Sequence, residues 1–420
     1  MSKVAVYLDG PTHLAVGLMS GTSHDGVSAA LVRIDARKSP PTRLLAFRTY
    51  AYTAEFRARL LAASSDGQDP ASRLGAGGLS TLNFDLGRIF GAAAMRLMRA
   101  ARIPTRRLSF IGSHGHTFFH LPPRRSGRGT ASTLQLAEPA MIAAMTGAPV
   151  VADFRPMDIA LGGEGAPLAP LAHLWLFGHK RFGRIVQNIG GIGNATYLPP
   201  AARTGDRRLV AFDTGPGGTL IDALVARFTS GRLNMDRDGR MAARGRVDDA
   251  MLTELMRNPY FRRKPPKSTG REEFGAHYLD AILQGARGRA MKPENLVADD
   301  LVATVTALTA RSIADACRRF IVPLGRVDEL IATGGGARNP TLMKMIAAEL
   351  IGAEVRIEVK TAEDVGVDGG ALEAVAFAIL AYQMLRGLPG NIPSVTGARS
   401  AAILGKLTLP PAPRKLAIRK

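Results

Sequence analysis

Asp213 and the glycines that surround it carry the clearest chemical promise in this sequence. The run Leu209-Val-Ala-Phe-Asp-Thr-Gly-Pro-Gly217 reads as a strand ending in a carboxylate and a tight turn. In open α/β folds, ligands bind beyond the carboxyl ends of strands. A carboxylate there can take a proton from a nucleophile or hold Mg2+, or it can simply form the turn before Gly-Pro-Gly. A second candidate is the polar turn Ser20-Gly-Thr-Ser-His-Asp-Gly26 between two apolar runs. Gly21 and Gly26 let the backbone approach a ligand closely. The hydroxyls of Thr22 and Ser23 and exposed N–H groups suit phosphate oxygens, and Asp25 suits Mg2+ directly or through water. This is not the Gly-Lys-Ser/Thr pattern of a Walker A helix. The alternative is a polar hairpin loop. Further glycine turns follow strands at 190–193, 215–218 and 334–336. Four such turns at strand ends suggest one polyanionic ligand.

The elements that must position these residues follow from periodicity. Residues 17–35 read as strand, turn, strand, with Val27, Ala29 and Leu31 alternating with Ser28, Ala30 and Val32. A helix is expected over 80–102, ending near Ile103-Pro104. Strands follow at 108–113, 133–136 and 149–153, with a Pro/Arg/Gly loop at 122–129 and a helix over 139–146. At 184–198 the pattern restarts as strand, glycine turn, strand. Helical patterns fill 219–228, 247–257 and 301–320. A strand over 329–333 runs into Gly334-Gly335-Gly336, then helices cover 341–350 and 370–386. Two related α/β halves facing a cleft are expected: a tail over 1–14, a first domain over 15–183, a second over 184–406, and a basic tail over 407–420. The helix over 370–386 could pack back on the first domain.

Composition bounds the function classes. The chain has 420 residues, 46% of them hydrophobic, enough for a large core. Cys317 is its one cysteine, which excludes a disulfide framework and suits a reducing cytoplasm. The net charge of +20 invites a nucleic-acid reading. The basic residues are scattered, however, and aromatics make up only 6%, without the interleaving that stacks bases. A solvated basic surface that attracts anionic substrates fits better, so no nucleic-acid partner is expected. The apolar segment Ala371 to Leu385 is interrupted by Glu373 and Gln383 and is too short to span a bilayer, so no membrane partner is expected either.

Taken together, the motifs resemble a family. They are Met19-Ser-Gly-Thr-Ser-His-Asp-Gly26, Ser113-His-Gly-His-Thr117, Val150-Val-Ala-Asp-Phe-Arg155, Gly162-Gly-Glu-Gly-Ala-Pro-Leu168, Asn188-Ile-Gly-Gly-Ile192, Phe212-Asp-Thr-Gly-Pro-Gly217, Pro266-Lys-Ser-Thr-Gly-Arg-Glu272, Gly334-Gly-Gly-Ala-Arg-Asn-Pro340 and Leu388-Pro-Gly-Asn-Ile-Pro-Ser-Val-Thr-Gly397. In this order, over about residues 15 to 406, they resemble anhydro-N-acetylmuramic acid kinase. The resemblance implies two ribonuclease-H-like domains of the actin and sugar-kinase type, with ATP in the cleft. It implies that water opens the 1,6-anhydro bridge while ATP phosphorylates O6, giving N-acetylmuramic acid 6-phosphate and ADP in cell-wall recycling. The partners implied are the anhydrosugar, ATP and Mg2+, and a homodimer stays open.

The resemblance makes Asp213 the catalytic carboxylate. It assigns Gly21, Thr22, Ser23, His24, Asp25, Gly26, Val27 and Ser28 to the phosphate loop. Gly190, Gly191, Gly215, Gly217, Gly334, Gly335, Gly336 and Asn339 fall on the nucleotide, as do Lys267 and Arg271, for which a structural ion pair is the alternative. Thr117, Arg155 and Glu373 fall on the sugar, and Asp25, Asp213 and Glu373 on the metal. The sequence departs from the family pattern at His24, Ser28, His116, Glu164, Gly218 and Ala137-Glu138-Pro139. The last of these, and the segment Ile221 to Glu272, resemble levoglucosan kinase, so another 1,6-anhydrosugar is the alternative substrate. Two rivals lie outside kinase chemistry. One is a metal-dependent hydrolase built on His114, His116 and His120 with Asp153, His173 and Asp213. The other is a non-catalytic sugar or nucleotide binder.

Overall fold

The computed structural model describes residue 8 and residues 10–21, 24–38, 40–64, 75–127, 129–270, 272–289, 298–351 and 357–411. Thr22, Ser23 and Arg271 lie outside the described residues, as do most of the expected N-terminal tail and residues 412–420 of the basic tail. The chain forms two compact units, one of residues 1–176 with 371–420 and the other of residues 177–370.

The first unit is built on strands β1 (Thr12–Ser20), β2 (Gly26–Asp35), β3 (Thr42–Ala51), β4 (Phe110–Leu121), β5 (Ser132–Leu136) and β6 (Val150–Ala152). The second holds β7 (Arg184–Ile189), β8 (Ile192–Leu198), β9 (Val210–Pro216), β10 (Glu329–Thr333) and β11 (Glu358–Thr361). The last strand, β12 (Lys406–Thr408), returns to the first sheet, antiparallel to β6. The sheets run β12-β6-β4-β1-β2-β3, with β5 on β4, and β11-β10-β7-β8-β9. Each sheet has three consecutive antiparallel strands, and its first strand pairs on the other side with a later, parallel one. The two halves therefore share one topology, the order 3-2-1-4-5 of a ribonuclease-H-like sheet. This matches the expected α/β class.

Strand β2 is buried almost throughout. One cover is the helix Ala76–Ala100, whose buried residues Leu82, Leu86, Phe90, Ala93, Ala94 and Leu97 recur every three or four positions. The other is the helix Leu372–Leu385, which lies on β1 and β4. A Cβ at Gly17 would run into the Ala374 carbonyl, and one at Gly112 into the Phe377 carbonyl, so these two glycines let the helix backbone touch the sheet. The second unit packs the helix Ala298–Ala316 against its sheet, with Ala310, Ile313 and Ala314 meeting Ile185, Ala195 and Tyr197.

Two domain boundaries differ from the sequence-based expectation. The first unit gives way to the second after 176 rather than 183, and the second ends at 370 rather than 406, so that residues 371–411 complete the first, including the helix over 370–386 that could pack back on it. The physical cause is the glycine seam under Leu372–Leu385 together with the β12–β6 pairing. The strand β3 escaped notice because its burial is patchy and lacks clean alternation.

Candidate active site

In the second unit β7, β9 and β10 run in the same direction, so the turns that follow them gather at one sheet edge. The turns after β7 and β9 are bonded backbone to backbone. Gly217 N–H donates to the Gly191 carbonyl (2.9 Å) and Gly218 N–H to that of Gly190 (2.8 Å). A Cβ at Gly217 would strike the Gly190 carbonyl, and one at Gly191 would meet the Thr219 hydroxyl at 2.7 Å. Gly334, at φ +79°, lies against Asn188 and Ile189 at the end of β7, whereas Gly335 faces open space. Gly190, Gly191, Gly215, Gly217, Gly334, Gly335 and Gly336 thus form one glycine-lined edge, ahead of the helices Thr219–Phe228 and Pro340–Leu350. The N–H groups of Gly217, Gly218 and Thr219 are spent on this clasp, which leaves the Gly334–Gly336 turn as the stretch of backbone suited to a phosphate.

Asp213 sits half-buried on β9, three residues before its end. The segment 260–269 fixes it. Tyr260 donates its hydroxyl to the Asp213 carbonyl (2.7 Å), Thr269 N–H donates to Asp213 Oδ2 (2.9 Å), and Asp213 N–H donates to the Lys267 carbonyl (3.1 Å). The carboxylate is held by backbone contacts and keeps a defined direction, as a general base requires.

Lys267 departs from expectation. Its ammonium is not free for phosphate; the side chain is 7% exposed and lies over the rings of Tyr260 (4.6 Å), Phe320 (5.0 Å) and Phe212 (5.9 Å). The ring faces offer it a cation–π environment, and its nearest acceptor is the Tyr260 carbonyl at 3.4 Å. Burial depresses its pKa to about 8, against the opposing fields of Asp315 and Asp213. Below pH 8 the amine is charged in the folded and unfolded chains alike. Between about pH 8 and 10.5 the unfolded chain keeps the proton and the folded one sheds it, so stability rises with pH across that window. The gain is at most about 3 kcal/mol. Urea unfolding of the wild type and of Lys267→Met at pH 7.5 and pH 10 is expected to show this extra pH-dependent stability in the wild type alone. Equal pH dependence in both would contradict the assignment.

Asn339 also serves the fold. Its side-chain oxygen accepts from Leu342 N–H (3.0 Å) and caps the helix Pro340–Leu350, so that oxygen is spent on the fold. In the first unit, Val27 belongs to the hydrophobic core. Gly26 is a glycine because a Cβ would strike the Tyr50 carbonyl of β3. The Ser28 hydroxyl pairs with that of Thr49 (3.1 Å). These three positions help to build the β2–β3 pairing and the core beneath it. Gly21, His24 and Asp25 remain at the turn, with Asp25 exposed.

At the end of β1, just past β3 and midway along β4, sequence reasoning missed a buried chain of hydroxyls and imidazoles. Tyr52 donates to Ser20 Oγ (2.8 Å), Ser20 Oγ stands 3.2 Å from His116 Nδ1, and the His116 ring lies 4.8 Å from that of His24. The only hint in the sequence was His24 and His116 standing in two different motifs.

Arg155 and Glu373 are brought together with His114. Arg155 Nε–H donates to His114 Nε2 (3.0 Å), and its NH1 donates to the Gly165 carbonyl (2.7 Å). Burial lowers the Arg155 pKa to about 10, opposed by Glu373 and Asp158, so the guanidinium stays charged at neutral pH. Glu373 opens the helix Leu372–Leu385; it is accessible, yet the protein around it desolvates its carboxylate and raises its pKa, which Arg155 opposes. Thr117 is half-buried on β4, paired with Gln135 of β5. Behind Arg155, fully buried Asp158 accepts from Asn391 Nδ2 and the Thr396 hydroxyl (both 2.7 Å) and from Gly165 N–H (2.8 Å).

Among the described residues no three His, Cys, Asp or Glu side chains gather as a metal cage. The hydrolase histidines are otherwise engaged. His114 donates Nδ1–H to the Gly115 carbonyl and accepts from Arg155 at Nε2, while His120 Nδ1 pairs with Thr133. Asp153 is paired with Lys406 (2.8 Å).

Comparison with known proteins decides the family. The family model for anhydro-N-acetylmuramic acid kinase matches residues 13–410. The chain belongs to this family. It is 42% identical over 401 residues to the anhydro-N-acetylmuramic acid kinase of Caldanaerobacter subterraneus subsp. tengcongensis, covering 94% of this chain and 97% of that one. It is 39% identical over 396 residues to that of Bacillus cereus strain G9842, covering 94% and 99%. Among solved structures it is similar to component A of Acidaminococcus fermentans (R)-2-hydroxyglutaryl-CoA dehydratase, at a TM-score of 0.42 and 14% identity over 89% of this chain and 99% of that one. That overlap adds nothing to the family assignment. Among the described residues no helix is long and apolar enough to cross a membrane.

Proposed function

We propose that this member of the anhydro-N-acetylmuramic acid kinase family opens 1,6-anhydro-N-acetylmuramic acid with water and phosphorylates its O6 from ATP, with Asp213 as the base. The observation that carries the reading is the oriented Asp213 carboxylate on the same strand that ends in the glycine-lined edge. In this reading Asp213 takes a proton from water as the water oxygen bonds to C1. The C1–O6 bond breaks, O6 takes the terminal phosphoryl group, and ADP leaves. In this reading the Gly334–Gly336 turn of the glycine edge supplies N–H donors to the phosphates, whose charge must be neutralised as it shifts toward the leaving oxygen. Arg155 and Glu373, with Thr117, orient the sugar. Mg2+, when bound, would offset phosphate charge. It needs only one or two carboxylates beside phosphates and water, and Asp25, Asp213 and Glu373 are each of the right type. The single cysteine, which suits a reducing compartment, supports a cytoplasmic setting.

The test follows ADP release on adding the anhydrosugar, with the product's mass read directly. The expected result is strictly sugar-dependent ADP and a product carrying both the elements of water and a phosphoryl group. In heavy-oxygen water the label is expected at C1. Label in phosphate, or ADP without sugar, would make the protein an ATP hydrolase. Turnover of levoglucosan alone would replace the substrate.

A further inference from the structure

The second unit holds a cavity of about 320 Å3 ringed by guanidinium groups. It lies along the helix Ala298–Ala316, away from the face that meets the sheet. Ala310, Ile313 and Ala314 pack on the sheet, and Ser312 packs against Gly215. Arg311 and Asp315, four residues apart, share another face and line the cavity. Arg318 and Arg319 join them from a π turn, Cys317–Ile321, in which Val322 N–H reaches back five residues to the Cys317 carbonyl. Such turns are rare and frequently mark a functional site. Arg262, the last residue of the turn Pro259–Arg262, adds a fourth guanidinium, and Met256 and Phe261 add an apolar wall. Glu349 lines the cavity from the end of the helix Pro340–Leu350 that is remote from Gly334–Gly336, so the cavity is separate from the glycine edge.

The charges in this cavity do not balance. Its four arginines outnumber its carboxylates, Asp315 and Glu349, by two. Arg311 donates from Nε to Glu349 Oε1 (2.8 Å), and Arg319 from Nε to Asp315 Oδ1 (2.9 Å). Arg318 Nη1 donates to the Glu349 backbone carbonyl (2.6 Å), which leaves its charge without a carboxylate among the described residues. The Arg262 guanidinium has no partner among them at all. A guanidinium carries five N–H donors, so most of each fork stays open. Like charges gathered in one cavity repel, and a bound dianion would relieve that repulsion.

We propose that this cavity is a second anion site, which takes a phosphate monoester of about hexose size on Arg262 and Arg318. The two charges of a monoester at neutral pH match the excess of two. A phosphate gathers its charge and three acceptor oxygens on one atom, so neighbouring guanidinium forks can share it, whereas a dicarboxylate spreads the same charge over two groups. The carbon body of the ester lies on Met256 and Phe261. The volume sits at the small end of ligand pockets, which run from about 300 to 1,000 Å3, and suits a phosphorylated monosaccharide. The site stands whether or not Asp213 is the base.

Calorimetric titration of the full chain with glucose 6-phosphate, inorganic phosphate and succinate tests it. Glucose 6-phosphate is expected to bind more tightly than either of the others. Arg262→Gln breaks no contact of the fold and is expected to weaken glucose 6-phosphate about tenfold or more, with the urea midpoint unchanged. Thr253→Glu places a carboxylate on the exposed rim of the cavity and is expected to weaken it at least as much. Wild-type affinity in both variants would put the bound phosphate elsewhere and overturn the assignment. So would a wild type that binds no glucose 6-phosphate at millimolar concentration. Inorganic phosphate binding as tightly as the ester would make the free ion the ligand, and tighter binding of succinate would make it a dicarboxylate; either result overturns the monoester.

Discussion

Asp213→Asn is expected to lower kcat on the order of 10³-fold, while nucleotide affinity stays within a few-fold of wild type. The amide matches the carboxylate in shape and can still accept from Thr269 N–H. The Tyr260 and Lys267 contacts involve the Asp213 backbone and are untouched. What is lost is the ability to take the proton of the attacking water. Because Asp213 lies upstream of Gly215 and Gly217 rather than among them, the glycine edge keeps its form. Steady-state rates by ADP release, paired with calorimetric nucleotide binding, separate the two effects. A kcat within tenfold of wild type would place the base elsewhere; a collapse of nucleotide binding would make Asp213 a binding residue first.

Asp158→Ala is expected to cost on the order of 4 kcal/mol of stability, the largest structural effect of any substitution considered. Asp158 is wholly buried, and its two oxygens accept three hydrogen bonds, from Gly165, Asn391 and Thr396. Truncation strands all three donors at once. Two of them lie more than 230 residues away in the chain, so the loss unfastens the C-terminal segment from the loop beside Arg155. Asp158→Asn keeps one acceptor and is expected to cost about half as much. Urea midpoints, compared at matched slopes, measure both. A loss below about 1 kcal/mol for Asp158→Ala would show that water replaces the carboxylate.

What could be read in advance followed short-range rules. Pro139 at the first helical position and Gly147 just past the last give the helix Pro139–Thr146 at the expected bounds, with Glu138 capping Ala140. The strand Glu329–Thr333 and the helix Thr219–Phe228 also fall where periodicity put them. The glycine turns were legible because each follows its own strand, whereas Asp213, read as the end of a strand, lies three residues before it. What stayed hidden depends on distant partners. Nothing near Lys267 announces that Phe212 and Phe320 will close over it. Asn339 looks like part of a glycine turn and is the cap of the next helix. The Asp158 clasp and the His24–His116 contact join residues from separate motifs, and only the sheet order brings them into reach.

The return of residues 371–411 to the first unit sets an order of events during synthesis. On a ribosome the N-terminal part of a protein ordinarily folds first. Here β1 and β4 emerge early, but the helix that touches Gly17 and Gly112, the Asn391 and Thr396 donors and the strand β12 are the last described parts of the chain to appear. Residues 177–370, by contrast, are all made before that point. The half of the molecule that begins first is therefore finished last. A nascent chain lacking its final fifty residues would hold every strand of the second sheet, and an apolar face of the first still waiting for its cover.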